Sequence, residues 1–179
     1  MPTWPWPPPA DDGAARHLVS GLALPHIALP ATTGGLVDLA DVPGRSVVFF
    51  YPWTGRPGLP NPPGWDDIPG AHGSTPEAEG FRDLYSDYAT NGFGIYGVSL
   101  QPPAEQHEFA ARAGLPFALL SDVENRFSGQ LGLPTFEAAG TVYLKRLTMV
   151  VANGVVLRAV YPVHPPDTHA ADLLDSLLC

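Results

Sequence analysis

The sequence has a single cysteine, Cys179, which is the last of its 179 residues. One thiol cannot form an intramolecular disulfide, a Cys-x-x-Cys redox pair or a cysteine-rich zinc site. We interpret Cys179 as an incidental terminal residue. A redox role would require the terminus to fold back or to pair with a second chain.

Basic residues are also scarce, since 9 Lys and Arg stand against 18 Asp and Glu, for a net charge of −9. A binder of nucleic acid or of an anionic membrane needs a basic face, so neither partner is expected. No apolar run reaches the ~18–20 residues of a membrane helix. Residues 1–9 (MPTWPWPPP) also lack the basic and apolar regions of a signal peptide. These absences predict a cytoplasmic protein.

Signals for cofactors and metals are missing as well. The sequence has no glycine-rich phosphate loop and no dinucleotide-binding fingerprint, so no cofactor is predicted. His164 and His169 flank a Pro-Pro pair, but the further ligands that zinc requires are not apparent. We therefore expect no metal site, and interpret these histidines as helix-cap or solvent-exposed residues.

The chain divides into a leader and one domain. Residues 1–20 begin rich in proline and are predicted to be partly disordered. An alternative is an arm that packs Trp4 and Trp6 onto a partner subunit. Residues 21–179 show no internal repeat or linker and form one domain. Hydrophobic residues make up 45% of the chain, which is enough for a core.

Alternating apolar runs and helical patterns predict an α/β fold with a mixed central sheet and helices on both faces. A hairpin is expected around residues 32–35, and a second one at Asn153-Gly154. Residues 52–73 form a loop long enough to suggest a function. The predicted strands are 46–51, 95–100, 117–120, 147–152 and 155–161, and the predicted helices are 75–90, 103–113, about 121–131 and 167–178.

Several motifs occur in a familiar order. Tyr51-Pro52 ends a strand, Gly73-Ser74-Thr75-Pro76-Glu77 opens a helix, and Phe81-Arg82-Asp83 continues it. Lys145-Arg146-Leu147-Thr148 then enters a late strand. This order resembles the peroxiredoxins of the alkyl hydroperoxide reductase/thiol-specific antioxidant type, nearest to the bacterioferritin-comigratory branch. The likeness runs from about residue 22 to 178, and it implies a thioredoxin-like fold of peroxiredoxin type and an antioxidant oxidoreductase.

The resemblance also implies site residues. The family's peroxidatic cysteine falls on Ser74, its arginine on Arg146 and its pocket proline on Pro52. For the family's threonine the candidates are Thr54 and Thr75. The position of a resolving cysteine, found in some members, is occupied here by Glu79. The resemblance implies hydroperoxides as substrates, and it makes a homodimer a candidate assembly because peroxiredoxin-type folds often dimerise.

Serine at position 74 removes the family's chemistry, because a hydroxyl neither ionises near neutral pH nor forms a sulfenic acid. Either Ser74 replaces a natural cysteine, or the protein lost the thiol and reuses the pocket. Ser74-x-x-Glu77 also fits a capping box, so we rank helix capping above a ligand contact, and a nucleophile last. His72 lies two residues away, which does not establish the geometry of a base.

Other residues are expected to line the same pocket. Arg146 either pairs with Asp83 or Glu79, or forms a site for an anion or a polarised oxygen at the helix N-terminus. Trp53 and Trp65 of the loop either cover an apolar pocket for a flat organic molecule or pin the loop onto the sheet, and we favour a lid that does both. The predicted substrate-binding residues are Trp53, Thr54, Arg56, Trp65, His72 and Glu79.

Three functions follow from these observations. The first is a peroxiredoxin-like protein that binds or converts a small organic molecule. A role in specialised metabolism is a further expectation attached to this function. The second is a thiol peroxidase with a cysteine-to-serine change at position 74. The third is a non-catalytic interaction module that acts through the leader.

Overall fold

The computed structural model describes residues 3–179. Along the chain, the strands are β1 (Ala28–Pro30), β2 (Leu36–Asp38), β3 (Arg45–Phe50), β4 (Phe93–Ser99), β5 (Ala118–Ser121), β6 (Thr135–Ala138), β7 (Thr141–Leu144), β8 (Leu147–Ala152) and β9 (Val155–Val160). The helices are α1 (Ser74–Asp83), α2 (Tyr85–Thr90), α3 (Pro103–Ala113), α4 (Arg126–Gln130) and α5 (His169–Leu178). The loop 52–73 contains one 3-10 turn, Trp65–Asp67.

The central sheet has the strand order β5-β4-β3-β8-β9. Strands β3, β4 and β5 are parallel to one another, β8 is antiparallel to β3, and β9 is antiparallel to β8. Five consecutive residues of β3 are buried, because its apolar run is covered on both faces. The predicted mixed α/β sheet is confirmed.

Helices cover both faces of this sheet. On one face, Phe81 of α1, Phe109 of α3 and Leu173 of α5 share one apolar cluster with β3 and β4. On the other face, Phe127 of α4 packs into a second cluster, which also takes in the hairpin β1–β2. The site at the start of α1 therefore lies on the face that carries α5.

Two turn predictions are confirmed in detail. Asn153 and Gly154 join β8 to β9 with φ angles of 48° and 75°, the left-handed pair that a two-residue hairpin requires. Gly114 ends α3 in the left-handed conformation, where glycine has no steric penalty.

Two helix predictions are wrong. The expected helix 75–90 is broken at Leu84, between α1 and α2. The capping box at Ser121 and Glu124 does not form, because the Asp122 carboxylate accepts hydrogen bonds from the first amides of α4 at 2.8–3.2 Å. The Ser121 hydroxyl instead donates to the Gln101 carbonyl at 2.6 Å. A carboxylate that accepts from three amides is the stronger cap.

The hairpin β6–β7 was not predicted. Its turn is Ala139-Gly140, with φ angles of 49° and 79°, and alanine is not a residue that indicates such a turn. Phe136 and Tyr143 from its two strands pack against Trp65 of the loop. The hairpin thus supports the loop that borders the site.

The described part of the leader, residues 3–20, lies against the domain. Leu18 is buried in the second cluster, and the Gly21 amide donates to the Val156 carbonyl at 2.9 Å. The division of the chain at residue 20 and the order of the leader stay predictions. Within residues 3–179, no helix is long and apolar enough to cross a bilayer.

Candidate functional site

The first turn of α1 presents Ser74 to a pocket. Gly73 precedes the helix with φ 118°, and a Cβ there would lie 2.2 Å from Cγ of Pro166, so only glycine fits. Ser74 is buried and makes no capping hydrogen bond. Its hydroxyl accepts a hydrogen bond from Nη2 of Arg146 at 3.2 Å.

The capping-box interpretation of Ser74 and Glu77 is wrong. Glu77 is fully buried and forms an ion pair with Nη1 of Arg146. The capping box does not form because a buried carboxylate needs a charged partner. The guanidinium of Arg146, which is distant in the sequence, supplies that partner. Both motif residues therefore turn toward Arg146 instead of capping the helix.

Arg146 does not pair with Asp83 or Glu79, contrary to one prediction. Those two carboxylates lie 2.9 and 4.0 Å from the guanidinium of Arg82. Glu79 follows Glu77 by two residues, which puts it on another side of the helix. Glu79 is not among the residues lining the pocket at Ser74, so its predicted substrate contact is not supported by the geometry.

The guanidinium of Arg146 is enclosed. Its Nη2 also faces the backbone carbonyls of Gly70, Ala71 and His72 at 3.3–3.5 Å. Burial raises the pKa of Glu77 to about 7, and the charge of Arg146 opposes that rise. Glu77 Oε1 and Arg146 Nε have no hydrogen-bond partner among the described residues. A neighbouring carboxylate thus offsets the positive charge behind Ser74.

The pocket at Ser74 has a volume of about 240 Å³. Its wall carries every tryptophan of the chain, together with small and polar residues. The lining residues are Trp4, Trp6, Trp53, Gly55, Asn61, Trp65, Ala71, His72, Gly73, Ser74, Thr75 and Pro76. Five predicted site residues therefore meet here: Trp53, Trp65, His72, Ser74 and Thr75.

The tryptophans are held by aromatic and polar contacts. Trp65 packs edge-on against Trp53, with ring centres 5.5 Å apart. Trp6 stacks on the His72 ring at 3.7 Å, and Nε2 of His72 lies 2.8 Å from a carboxylate oxygen of Asp66. The contribution of the leader to this wall was not predicted, because residues 3–12 have no periodic pattern that indicates packing.

The remaining predicted residues lie beside the pocket. Thr54 is buried and exchanges hydrogen bonds with the Gln101 side chain at 3.1 and 3.3 Å. Arg56 is exposed and lies 3.8 Å from Glu108. Thr54 and Arg56 share with Trp53 a second cavity of about 220 Å³. Pro52 borders a third cavity of about 270 Å³ on another side of Trp53.

His169 is neither a cap nor exposed, contrary to the sequence interpretation. It is buried, and its Nε2 lies 2.8 Å from the Thr148 hydroxyl. Burial, and next the nearby charge of Arg146, lower the pKa of His169 to about 4. The histidine is therefore neutral at neutral pH. Thr148, two residues after Arg146 at the start of β8, is the sequence feature that could have indicated this contact.

One group within residues 3–179 has the donor atoms for a metal. Nδ1 of His26 lies 3.5 Å from carboxylate oxygens of both Asp38 and Asp41. Two of the three side chains are largely exposed. None of them lines the pocket at Ser74.

The sheet, the covering helices and an arginine facing the first turn of α1 define a thioredoxin-like domain of the peroxiredoxin type. The sequence matches the Redoxin family over residues 19–177, and the chain belongs to that family. It is 31% identical to a Coxiella burnetii protein named as a peroxiredoxin bcp, over 88% of this chain and 97% of that protein.

Further relatives agree with this assignment. Peroxiredoxin Q, chloroplastic, of Oryza sativa subsp. japonica is 31% identical over 88% of this chain, which spans 65% of the rice protein. The crystal structure of peroxidoxin BcpB from Mycobacterium tuberculosis matches with a TM-score of 0.72 and 28% identity, covering 90% of this chain and 97% of that one. A cysteine-to-serine variant of PrxQ from Xylella fastidiosa, at 21% identity, shares the fold with a TM-score of 0.73 over 90% and 96% of the two chains.

Proposed function

We propose that this redoxin-family protein binds a small, planar, uncharged organic molecule in the pocket at Ser74, and that it is not a thiol peroxidase at this position. The convergence of all four tryptophans on the pocket carries the proposal. Indole rings offer broad apolar faces to a flat ligand. The volume of about 240 Å³ suits a small molecule.

The charge distribution supports an uncharged ligand. No Asp, Glu, Lys or Arg side chain lines this pocket. The cation behind it, Arg146, is paired with Glu77 and faces three backbone carbonyls. A charged ligand would lose hydration without gaining a full counter-charge.

Ser74 supplies the polar contact. Its hydroxyl accepts from Arg146, which leaves its own proton free to be donated. A carbonyl or hydroxyl oxygen on the ligand would accept a hydrogen bond from the Ser74 hydroxyl. In this proposal Ser74 binds and orients the ligand and does not act as a nucleophile.

Binding can be tested by calorimetry and ligand-observed NMR with three probes of similar shape: 2-naphthol, 2-naphthoate and N-methylquinolinium. 2-Naphthol, the neutral probe, should bind more tightly than the two charged probes. Ser74→Ala should weaken the binding of 2-naphthol roughly threefold to tenfold, the effect of one hydrogen bond. Ser86→Ala, at an exposed position of α2, is the matched control and should bind like the parent. If no neutral planar compound binds, the proposal fails.

The thiol peroxidase remains a second candidate. The contact between Arg146 and the Ser74 hydroxyl at 3.2 Å supports it, because a thiolate at that place would be stabilised in the same way. Ser74→Cys would then turn over hydroperoxides with an external thiol. An inactive variant would contradict the peroxidase function.

An interaction module is the third candidate. In that case, deletion of residues 1–15 should abolish association with a partner or with a second copy, as measured by light scattering. Trp4 and Trp6 line the pocket of their own chain, which favours ligand binding over this role.

A further inference from the structure

The leader forms part of the pocket wall. Trp6 stacks on His72 at an interplanar angle of 9°. One residue further on, the Pro7 carbonyl accepts a hydrogen bond from the Gly70 amide at 3.2 Å. Residues 3–12 contain no helix and no strand, so these few contacts hold them in place.

A polar cluster pins the end of this segment. The Asp12 carboxylate accepts hydrogen bonds from Nζ of Lys145 and from the Tyr161 hydroxyl, both at 2.8 Å. These bonds, that of Lys145 first, hold the pKa of Asp12 well below its usual range. We call Asp12, Lys145 and Tyr161 the latch. Its members belong to the leader and to two segments that flank β8 and β9, so it ties the leader to the domain.

The chain is anchored beyond the latch. Leu18 is buried in the core. The Leu24 amide donates to the Gly154 carbonyl at 2.9 Å, and the Val156 amide donates to the Leu22 carbonyl at 2.8 Å, so residues 22–24 are joined to the sheet edge. Gly13 lies between the latch and this anchor, with φ 75°. A glycine at this place gives the backbone freedom to turn.

Two cavities lie beneath the segment. Trp4 and Trp6 border the pocket at Ser74. Pro9 and Asp12 border a neighbouring cavity of about 310 Å³. Movement of residues 3–12 would therefore open both cavities at once and leave the sheet intact.

We propose that residues 3–12 form a lid over the pocket at Ser74, hinged at Gly13 and held closed by the latch. The lid supplies Trp4 and Trp6 to the occupant of the pocket, so the site is complete only when it is closed. The latch is solvent-exposed and includes an ion pair, which makes closure sensitive to salt.

Hydrogen exchange of the full-length protein without ligand tests the lid. The Gly70 amide is the reporter, because its partner is the leader's Pro7 carbonyl. Lys145→Gln and Tyr161→Phe each remove one latch contact and should accelerate exchange at Gly70 roughly two- to fivefold, the effect of an exposed ion pair or a single hydrogen bond. Arg126→Gln, which removes an exposed cation 3.9 Å from Glu124, is the matched control and should exchange like the parent.

Two further exchange measurements complete the test, one at high salt and one at an amide in the core. High salt should accelerate exchange at Gly70 in the parent but have little effect in Lys145→Gln, where the ion pair is already absent. The Phe49 amide in β3 should be unchanged throughout. The lid is refuted if the latch variants exchange at Gly70 like the parent, or if Phe49 accelerates equally, since that indicates general destabilisation.

Discussion

Ser74→Cys tests whether the first turn of α1 has the electrostatics of a peroxidatic centre. We expect the introduced thiol to have a pKa below the ordinary value of about 8.5. Two features lower it: the N-terminal end of α1, and the guanidinium of Arg146 that lies 3.2 Å from the present hydroxyl. Both favour the thiolate over the thiol.

The size of the pKa shift of the introduced thiol follows from these contacts. A helix N-terminus contributes about 0.3–1 kcal/mol, and a hydrogen bond to a charged group about 1.5–3 kcal/mol. Together they lower the pKa by about 1.3–3 units, at ~1.4 kcal/mol per unit. Burial of Ser74 and the carboxylate of Glu77 act in the opposite direction. The balance is a decrease of roughly one to two units, to a pKa of about 6.5–7.5.

The assay is the ultraviolet absorbance of the thiolate as a function of pH. Because Cys179 is the only natural thiol, Ser74→Cys combined with Cys179→Ser reports position 74 alone, and Cys179→Ser by itself gives the baseline. Adding Arg146→Met should raise the pKa again by about one to two units. A pKa at or above about 8.5 in the first variant would refute the reasoning.

Two further predictions concern stability, measured by urea unfolding. Gly73→Ala should lower the free energy of unfolding by about 2–4 kcal/mol, because its Cβ would meet Pro166 at 2.2 Å and φ is 118°. The control Gly34→Ala, at φ 103° with no atom within 4 Å, should lower it by only about 1–2 kcal/mol. Equal losses in the two variants would exclude the clash with Pro166. The pKa of His169 is lowered to about 4, so the unfolded chain binds its proton first, and the contribution of His169 to stability should fall as pH decreases from about 6.5 to 4, by about 3 kcal/mol. The raised pKa of Glu77 contributes in the opposite direction, so the His169 contribution is measured as the difference between the parent and His169→Gln. His169→Gln should remove that part of the slope, and an unchanged slope would contradict a buried neutral histidine.

The central sheet was predictable because its elements are encoded locally. The apolar run of β3, the Asn153-Gly154 turn and the glycine end of α3 each need only a few neighbouring residues to be interpreted. The hairpin β6–β7 lacks such a local signal. It pairs only with itself in a separate sheet, and its aromatic residues pack on Trp65 about 70 residues earlier in the chain.

The site likewise depends on residues that are distant in the sequence. Ser74 and Glu77 have the spacing of a capping box, and nothing in their neighbourhood distinguishes that motif from two residues that face a buried guanidinium. The choice is made by Arg146, 72 residues after Ser74, and by Pro166, which leaves room only for glycine before the helix. Once Arg146 is buried, its charge requires a carboxylate, and Glu77 is the one that the helix presents to it.

The meeting of the four tryptophans at the pocket could not be predicted from the sequence either. Two come from a proline-rich leader without periodicity and two from a loop without regular strands, so no pattern in the sequence indicates that they meet. Their convergence depends on contacts with His72, Gly70 and Lys145 that only the folded chain brings together. These contacts enclose a pocket in which position 74 carries a hydroxyl, and this enclosure is what supports the proposed binding of a small molecule.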